Sequence, residues 1–167
     1  MARGLKTVTA TAVALLLSAC AAQEPGLRVL NRVPHQTDAF TQGLLLHDGE
    51  LFESTGLYGE SSLRQLDPLT GAVLRRVDLT DRYFGEGLAL VGDSLIMLTW
   101  QENEALVFER DTFKQTGSFA YEGEGWGLCF DGSSLVMSDG SSRLQYRDPV
   151  TFELESQVQV TRPDGRP

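Results

Sequence analysis

The feature that most constrains this chain is a threefold internal repeat. The segments "QGLLLHDGELFEST…LRQLDPLTGAVLRRVDL", "EGLALVGDSLIMLTW…ALVFERDTFKQTGSFAY" and "WGLCFDGSSLVMSD…RLQYRDPVTFELESQVQV" superpose, opening on Gly-Leu at Gly43, Gly87 and Gly127 with spacings of 44 and 40 residues. Each copy holds four short runs rich in β-formers, among them "ELFEST", "SLIMLTW", "ALVFER", "SLVMSD" and "RLQYRD". Turn signals such as His47-Asp48-Gly49, Val91-Gly92-Asp93 and Asp131-Gly132 separate them. Asp67-Pro68, Asp111-Thr112 and Asp148-Pro149 recur once per copy as turn formers. Four strands in roughly 40–45 residues is the unit of a propeller blade.

The expected fold is therefore an all-β β-propeller, with about three four-stranded blades over residues 40–80, 84–121 and 124–160. A single antiparallel sandwich with chance similarity between hairpins is the competing architecture, and three aligned copies sharing turn chemistry argue against it. Residues 27–35, "LRVLNRVPH", read as a lone outer strand that completes the last blade and closes the ring. Propellers ordinarily close with about four to eight blades, and "TRPDGRP" reads as a turn toward another blade. The expectation is an N-terminal piece of a larger ring.

The first residues read differently. Arg3 and Lys6 precede the uncharged run "TVTATAVALLL", which has the length of a signal-peptide apolar region and is too short to span a bilayer as a helix. Leu17-Ser18-Ala19-Cys20 follows and resembles the lipobox of bacterial lipoproteins. Residues 1–19 are thus expected to be a lipoprotein signal peptide, Cys20 the lipidated residue and 20–26 a tether. An ordinary secretory signal with Cys20 incidental is the alternative. The expected location is the periplasmic side of the bacterial cell envelope, with the membrane touched only through the lipid anchor.

The formal charge of −9 comes from 14 basic and 23 acidic residues, and loss of Arg3 and Lys6 with residues 1–19 leaves 12 against 23, or −11. An acidic surface repels phosphate backbones, so nucleic acid is not an expected partner. Cys129, in "WGLCFDG", reads as a small buried hydrophobe, and with Cys20 acylated no disulfide is expected. His35 and His47 lie in polar, turn-like contexts without further ligands at metal spacing. No Ser-His-Asp set, phosphate loop or Cys-x-x-Cys is present, and neither metal nor cofactor is expected.

In a propeller the first strand of each blade lines the central channel. The residue before each Gly-Leu is Gln42, Glu86 or Trp126, and two positions earlier stand Phe40, Phe84 and Glu124, which alternation places on the same side. Equivalent positions that carry an amide, a carboxylate and an indole are where function is expected, because a purely structural repeat would hold one apolar type. Glycine beside them admits close approach of a ligand or another backbone. Glu86 is expected at the channel mouth; a solvated inter-blade turn at "FGEG" is the alternative. Trp100, ending "IMLTW", and Trp126 are the two tryptophans of the chain and suit a pocket wall, with packing between blades as the competing role.

"HQTDAFTQGLLLHDGELFESTGLYGESSLRQLD", "YFGEGLAL", "LTW" and "GEGWGL", in this order and spacing, resemble the glutaminyl-peptide cyclotransferase family of plant and bacterial type over residues 28–167. The resemblance implies a five-bladed propeller that converts the N-terminal glutamine of peptides or proteins to pyroglutamate with release of ammonia, without zinc, as a monomer when full length. It implies Glu86 and Gln42 as catalytic residues, Glu86 as general acid–base, and Phe40, Phe84, Trp100 and Trp126 as substrate-binding residues. The family's asparagine, further tryptophan and lysine belong to blades that this chain does not contain. Two other readings stay open: a non-catalytic, lipid-anchored propeller that binds a partner in the envelope, and a dimer that completes one ring from two halves.

Overall fold

A computed structural model describes residues 28–166. The signal peptide expected over 1–19, the tether 20–26 and Cys20 lie outside the described residues. The chain divides into two units at Arg32 and Val33, and of the first only residues 28–32 are described, with neither helix nor strand.

The second unit is all-β among the described residues. Its twelve strands are β1 (Thr41–His47), β2 (Glu50–Thr55), β3 (Ser62–Leu66), β4 (Val73–Asp78), β5 (Gly85–Val91), β6 (Ser94–Thr99), β7 (Glu104–Glu109), β8 (Gln115–Ala120), β9 (Leu128–Phe130), β10 (Leu135–Ser138), β11 (Arg143–Arg147) and β12 (Leu154–Gln159). Each run of four consecutive strands forms one antiparallel sheet in sequence order. This is the blade arrangement of a propeller, with the first strands β1, β5 and β9 side by side.

Local chemistry accounts for the meander. His47 pairs with Glu50 across Asp48-Gly49, both at positive φ (48° and 84°), the left-handed pair that a tight hairpin requires. Between third and fourth strands, Asp67 accepts the N–H groups of Leu69 and Thr70 at Oδ1 (2.8 and 2.9 Å), and Asp148 accepts those of Val150 and Thr151 (2.8 and 2.7 Å). The middle blade departs from the expected turn former. There Glu109, not Asp111, holds this position: Phe113 N–H reaches the Glu109 carbonyl just as Gly71 reaches Asp67 and Phe152 reaches Asp148. Asp111 sits two residues farther on, within the turn, and pairs with Arg110.

The blades are held together by two apolar layers. β6 shows how one strand serves both, because alternation sends Leu95 and Met97 to the layer shared with Phe52 and Leu63 of the first blade. Its Ile96 and Leu98 face the layer shared with Leu128, Leu135 and Met137 of the third. Each such fully buried side chain contributes about 1.5–3 kcal/mol.

Residues 28–35 carry no strand here, and residue 27 lies outside the described residues. The last blade that 27–35 is expected to complete is not among these three sheets, each of which has four consecutive strands of its own, and the Pro34 carbonyl lies against Gly71 in the β3–β4 turn. One expectation is corrected here: Cys129 is exposed, not buried. Leu128 takes the core-facing side of β9, so its neighbour Cys129 faces a cavity along β1, β5 and β9.

Candidate active site

The site begins with irregularities in the inner strands. Thr41 pairs with Thr55 and Gly43 with Ser54, so the ladder skips Gln42. In the next blade Gly85 pairs with Thr99 and Leu88 with Met97, so Glu86 and Gly87 face a single partner position. An extra residue of this kind turns the strand and re-aims its side chain. Glu86 is further held by its own carbonyl, which accepts the Ser54 hydroxyl at 2.5 Å. Trp126 stands just ahead of β9, its N–H on the Ser138 carbonyl at 3.0 Å.

The repeated glycines are there because neighbouring blades meet backbone to backbone. A Cβ on Gly43 would lie 2.7 Å from the Leu88 nitrogen, and one on Gly87 would lie 2.6 Å from the Trp126 carbonyl oxygen, to which Gly87 N–H donates. Gly85 and Gly125 press in the same way on the Thr55 and Thr99 carbonyls. Other glycines seat rings: Phe84 lies over Gly56 and Trp126 over Gly140.

Phe84 is the hub of an aromatic cluster. Its ring meets Phe40 edge-on at 6.3 Å, Tyr58 at 5.5 Å and Trp100 at 5.5 Å. Glu124 then ties the tryptophans together. Its Oε2 accepts the indole N–H of Trp100 at 3.0 Å and of Trp126 at 2.9 Å, while Gln101 donates to Oε1 at 3.1 Å. Phe40 and Trp126 remain 51% and 48% exposed, large apolar surfaces open at the rim.

The two carboxylates are driven apart electrostatically. The hydrogen bonds from Trp126, Gln101 and Trp100 hold the Glu124 carboxyl below its ordinary value, so it stays ionised. Glu86 is pushed up to about 7, first by partial burial and then by the negative charge of Glu124. Titratable neighbours separated in this way are a mark of acid–base function.

The structure thus brings Phe40, Phe84 and Trp100 into one cluster, joins Trp100 and Trp126 through Glu124, and sets Glu86 within reach of the Glu124 charge. Gln42 occupies the bulge of β1 that corresponds to the bulge at Glu86, one blade away, and no hydrogen bond joins the two among the described residues. A cavity of about 530 Å³ lies along the same inner strands, between Leu44, Leu88, Leu128 and Arg110, but contains none of the expected site residues. Sequence reasoning assigned no role to Glu124, Tyr58 or Glu102. Glu124 was visible as the third member of the Phe40–Phe84 position. Tyr58 and Glu102, joined at 2.8 Å, lie 44 residues apart, the spacing of Gly43 and Gly87, so the repeat marks them as equivalent positions.

The chain is similar in sequence and fold to known proteins. The sequence model of the glutamine cyclotransferase family matches residues 4–166. The glutaminyl-peptide cyclotransferase of Arabidopsis thaliana is 40% identical over 142 residues, which are 84% of this chain and 44% of that protein. The crystal structure of Myxococcus xanthus glutaminyl cyclase superposes with a TM-score of 0.76 at 38% identity, covering 84% of this chain and 59% of that one. The Pan2 WD40 domain of Neurospora crassa, at 12% identity and a TM-score of 0.59 over 71% of this chain and 36% of its own, shares the fold alone. This chain therefore spans less than half the length of the curated relative it matches, and it belongs to the glutamine cyclotransferase family.

Proposed function

We propose that this chain supplies the acid–base half of a glutaminyl-peptide cyclotransferase site, acting on the N-terminal glutamine of peptides or proteins to give pyroglutamate and ammonia. The observation that carries the reading is a half-buried carboxylate with its pKa near 7, beside a second carboxylate held ionised by two indoles.

Cyclisation joins the substrate's α-nitrogen to its own side-chain amide carbon and breaks the bond from that carbon to the amide nitrogen. Nucleophile and electrophile share one residue, so the protein mainly holds a curled conformer and moves protons. The amine attacks the carbonyl, and the nitrogen, now bearing an extra proton, gives it to the Glu86 carboxylate. The protonated Glu86 passes the same proton to the departing NH₂, which leaves as ammonia. A relay of this kind contributes about 10²–10⁴-fold. A group with a pKa near 7 is present in both forms at neutral pH and serves both steps.

Gln42 donates from its amide nitrogen to the tetrahedral oxygen or holds the substrate carboxamide. Phe40, Phe84, Trp100 and Trp126 grip the glutamine methylenes and exclude water. The ionised Glu124 attracts the α-ammonium group, which loses one proton to solvent to become the attacking amine, and keeps the Glu86 proton from dissociating early. The reaction is an acyl transfer within one residue. Export to the periplasmic side and anchoring through Cys20 are part of the same proposal and rest on the sequence of residues 1–20.

The test is ammonia release from a peptide that begins with glutamine, comparing wild type with Glu86→Gln. The expected result is a loss of about 10²-fold or more in kcat. Near-normal turnover in the variant removes Glu86 from the reaction.

A further inference from the structure

The first blade contains a buried ionic group that the reaction above does not use. Glu53 is 0% exposed and its ladder partner Arg64 is 1% exposed. Glu53 Oε1 accepts the Thr41 hydroxyl at 2.5 Å and His35 Nε2–H at 2.7 Å. Its Oε2 has no hydrogen-bond partner among the described residues and stands 4.0 Å from Arg64 Nη1. Arg64 in turn donates Nε–H to Ser62 Oγ at 2.8 Å and Nη1–H to Gln36 at 3.0 Å.

The repeat shows that the fold does not need these charges. At the ladder position where the first blade sets Glu53 opposite Arg64, the second sets Met97 opposite Leu106, both fully buried, and the third sets Met137 opposite Gln145. Replacing a buried ion pair by well-packed apolar side chains is often neutral or stabilising, so stability alone gives no reason to keep Glu53 and Arg64.

What the cluster touches supplies the reason. Thr41 is flanked by Phe40 and Gln42, two residues of the proposed site. The ladder skips Gln42, so the strand's own pairing does not fix it. Phe40 is tethered through one backbone bond, from Gly56 N–H to its carbonyl at 2.8 Å. Between these weak points the side chain of Thr41 is bound to a fully buried carboxylate.

We propose that Glu53 is a positioning residue: its buried carboxylate, clamped by His35 and Arg64, fixes Thr41 and so sets the reach of Phe40 and Gln42 toward the substrate. The role of those two residues rests on the function proposed above, whereas the fixing of Thr41 does not.

Two variants of the full chain test it. Glu53→Met with Arg64→Leu copies the pair of the second blade, and Thr41→Val removes one hydroxyl while leaving both charges in place. Denaturant midpoint, exchange of the Gly56 amide and turnover of a glutamine-initiated peptide are compared with wild type. The double variant is expected to keep its midpoint while Gly56 exchanges at least tenfold faster and kcat falls about tenfold, with KM moving less than kcat. Thr41→Val is expected to show the same pattern more weakly, and it decides the matter alone if the double variant does not fold. Unchanged Gly56 exchange in folded variants overturns the proposal. Faster exchange in a chain that turns over no substrate, wild type included, upholds the fixing of Thr41 and counts instead against the proposed function.

Discussion

Replacing Glu86 by glutamine removes the charge and little else, so it isolates the electrostatics of the site. In the folded chain the Glu86 carboxyl titrates at about 7 instead of its ordinary 4.5. Between those values the folded protein holds a proton that the unfolded chain has lost. Folding therefore takes up a proton across that window, and wild-type stability falls as pH rises through it. Below pH 4.5 both states are protonated and the effect vanishes; above about pH 7 it is complete. At about 1.4 kcal/mol per pKa unit the ceiling is about 3 kcal/mol, and solvent screening of a half-exposed group reduces it to about 1–2 kcal/mol. Glu86→Gln is accordingly expected to match wild type near pH 4 and to exceed it by about 1–2 kcal/mol at pH 8. For a domain of this size the gain amounts to about 4 °C in Tm for each kcal/mol. Thermal or urea unfolding of both chains from pH 4 to 9 measures the difference, in which the other titrating groups cancel. Two parallel curves would show that Glu86 titrates at its ordinary value, and the desolvation argument would fall with them.

Other outcomes follow from the same coordinates. Glu124→Gln removes the second cause of the raised Glu86 pKa and weakens the acceptor shared by Trp100 and Trp126, so the Glu86 midpoint is expected to move down and the indole emission to shift; carboxyl-resolved NMR titration and fluorescence read the two. Gly87→Ala drives a methyl into the Trp126 carbonyl and the Leu128 nitrogen of the next blade and is expected to cost about 2 kcal/mol or more, whereas Gly92→Ala meets open space at φ 57° and costs about 1 kcal/mol; urea midpoints rank them. Cys129, exposed on β9, is expected to react with an aromatic disulfide reagent in the folded chain as fast as in urea, as followed by peptide mass; strong protection would restore it to the core.

The architecture was legible in the sequence because a propeller blade is a local object. Its four strands are consecutive and its turns short, so the Gly-Leu repeat, the strand-forming runs and the Asp67 and Asp148 turns are readable from neighbours alone. The same repeat aligned Gln42, Glu86 and Trp126 as equivalent positions, which recur in successive blades at a nearly fixed spacing. Periodicity failed at Cys129, which has an apolar context, yet its side of β9 is exposed at the cavity.

Tertiary structure alone decided the electrostatics. Glu124 binds indoles 24 residues upstream and two residues downstream, Tyr58 reaches Glu102 across a blade boundary, and Glu53 meets His35 and Arg64 from three separate segments. The repeat sets Tyr58 and Glu102 at equivalent positions 44 residues apart, but which loops fold over which strand ends decides such contacts. The pKa of Glu86 belongs with them, because burial and a neighbouring charge are properties of an assembled environment and not of the residue that titrates.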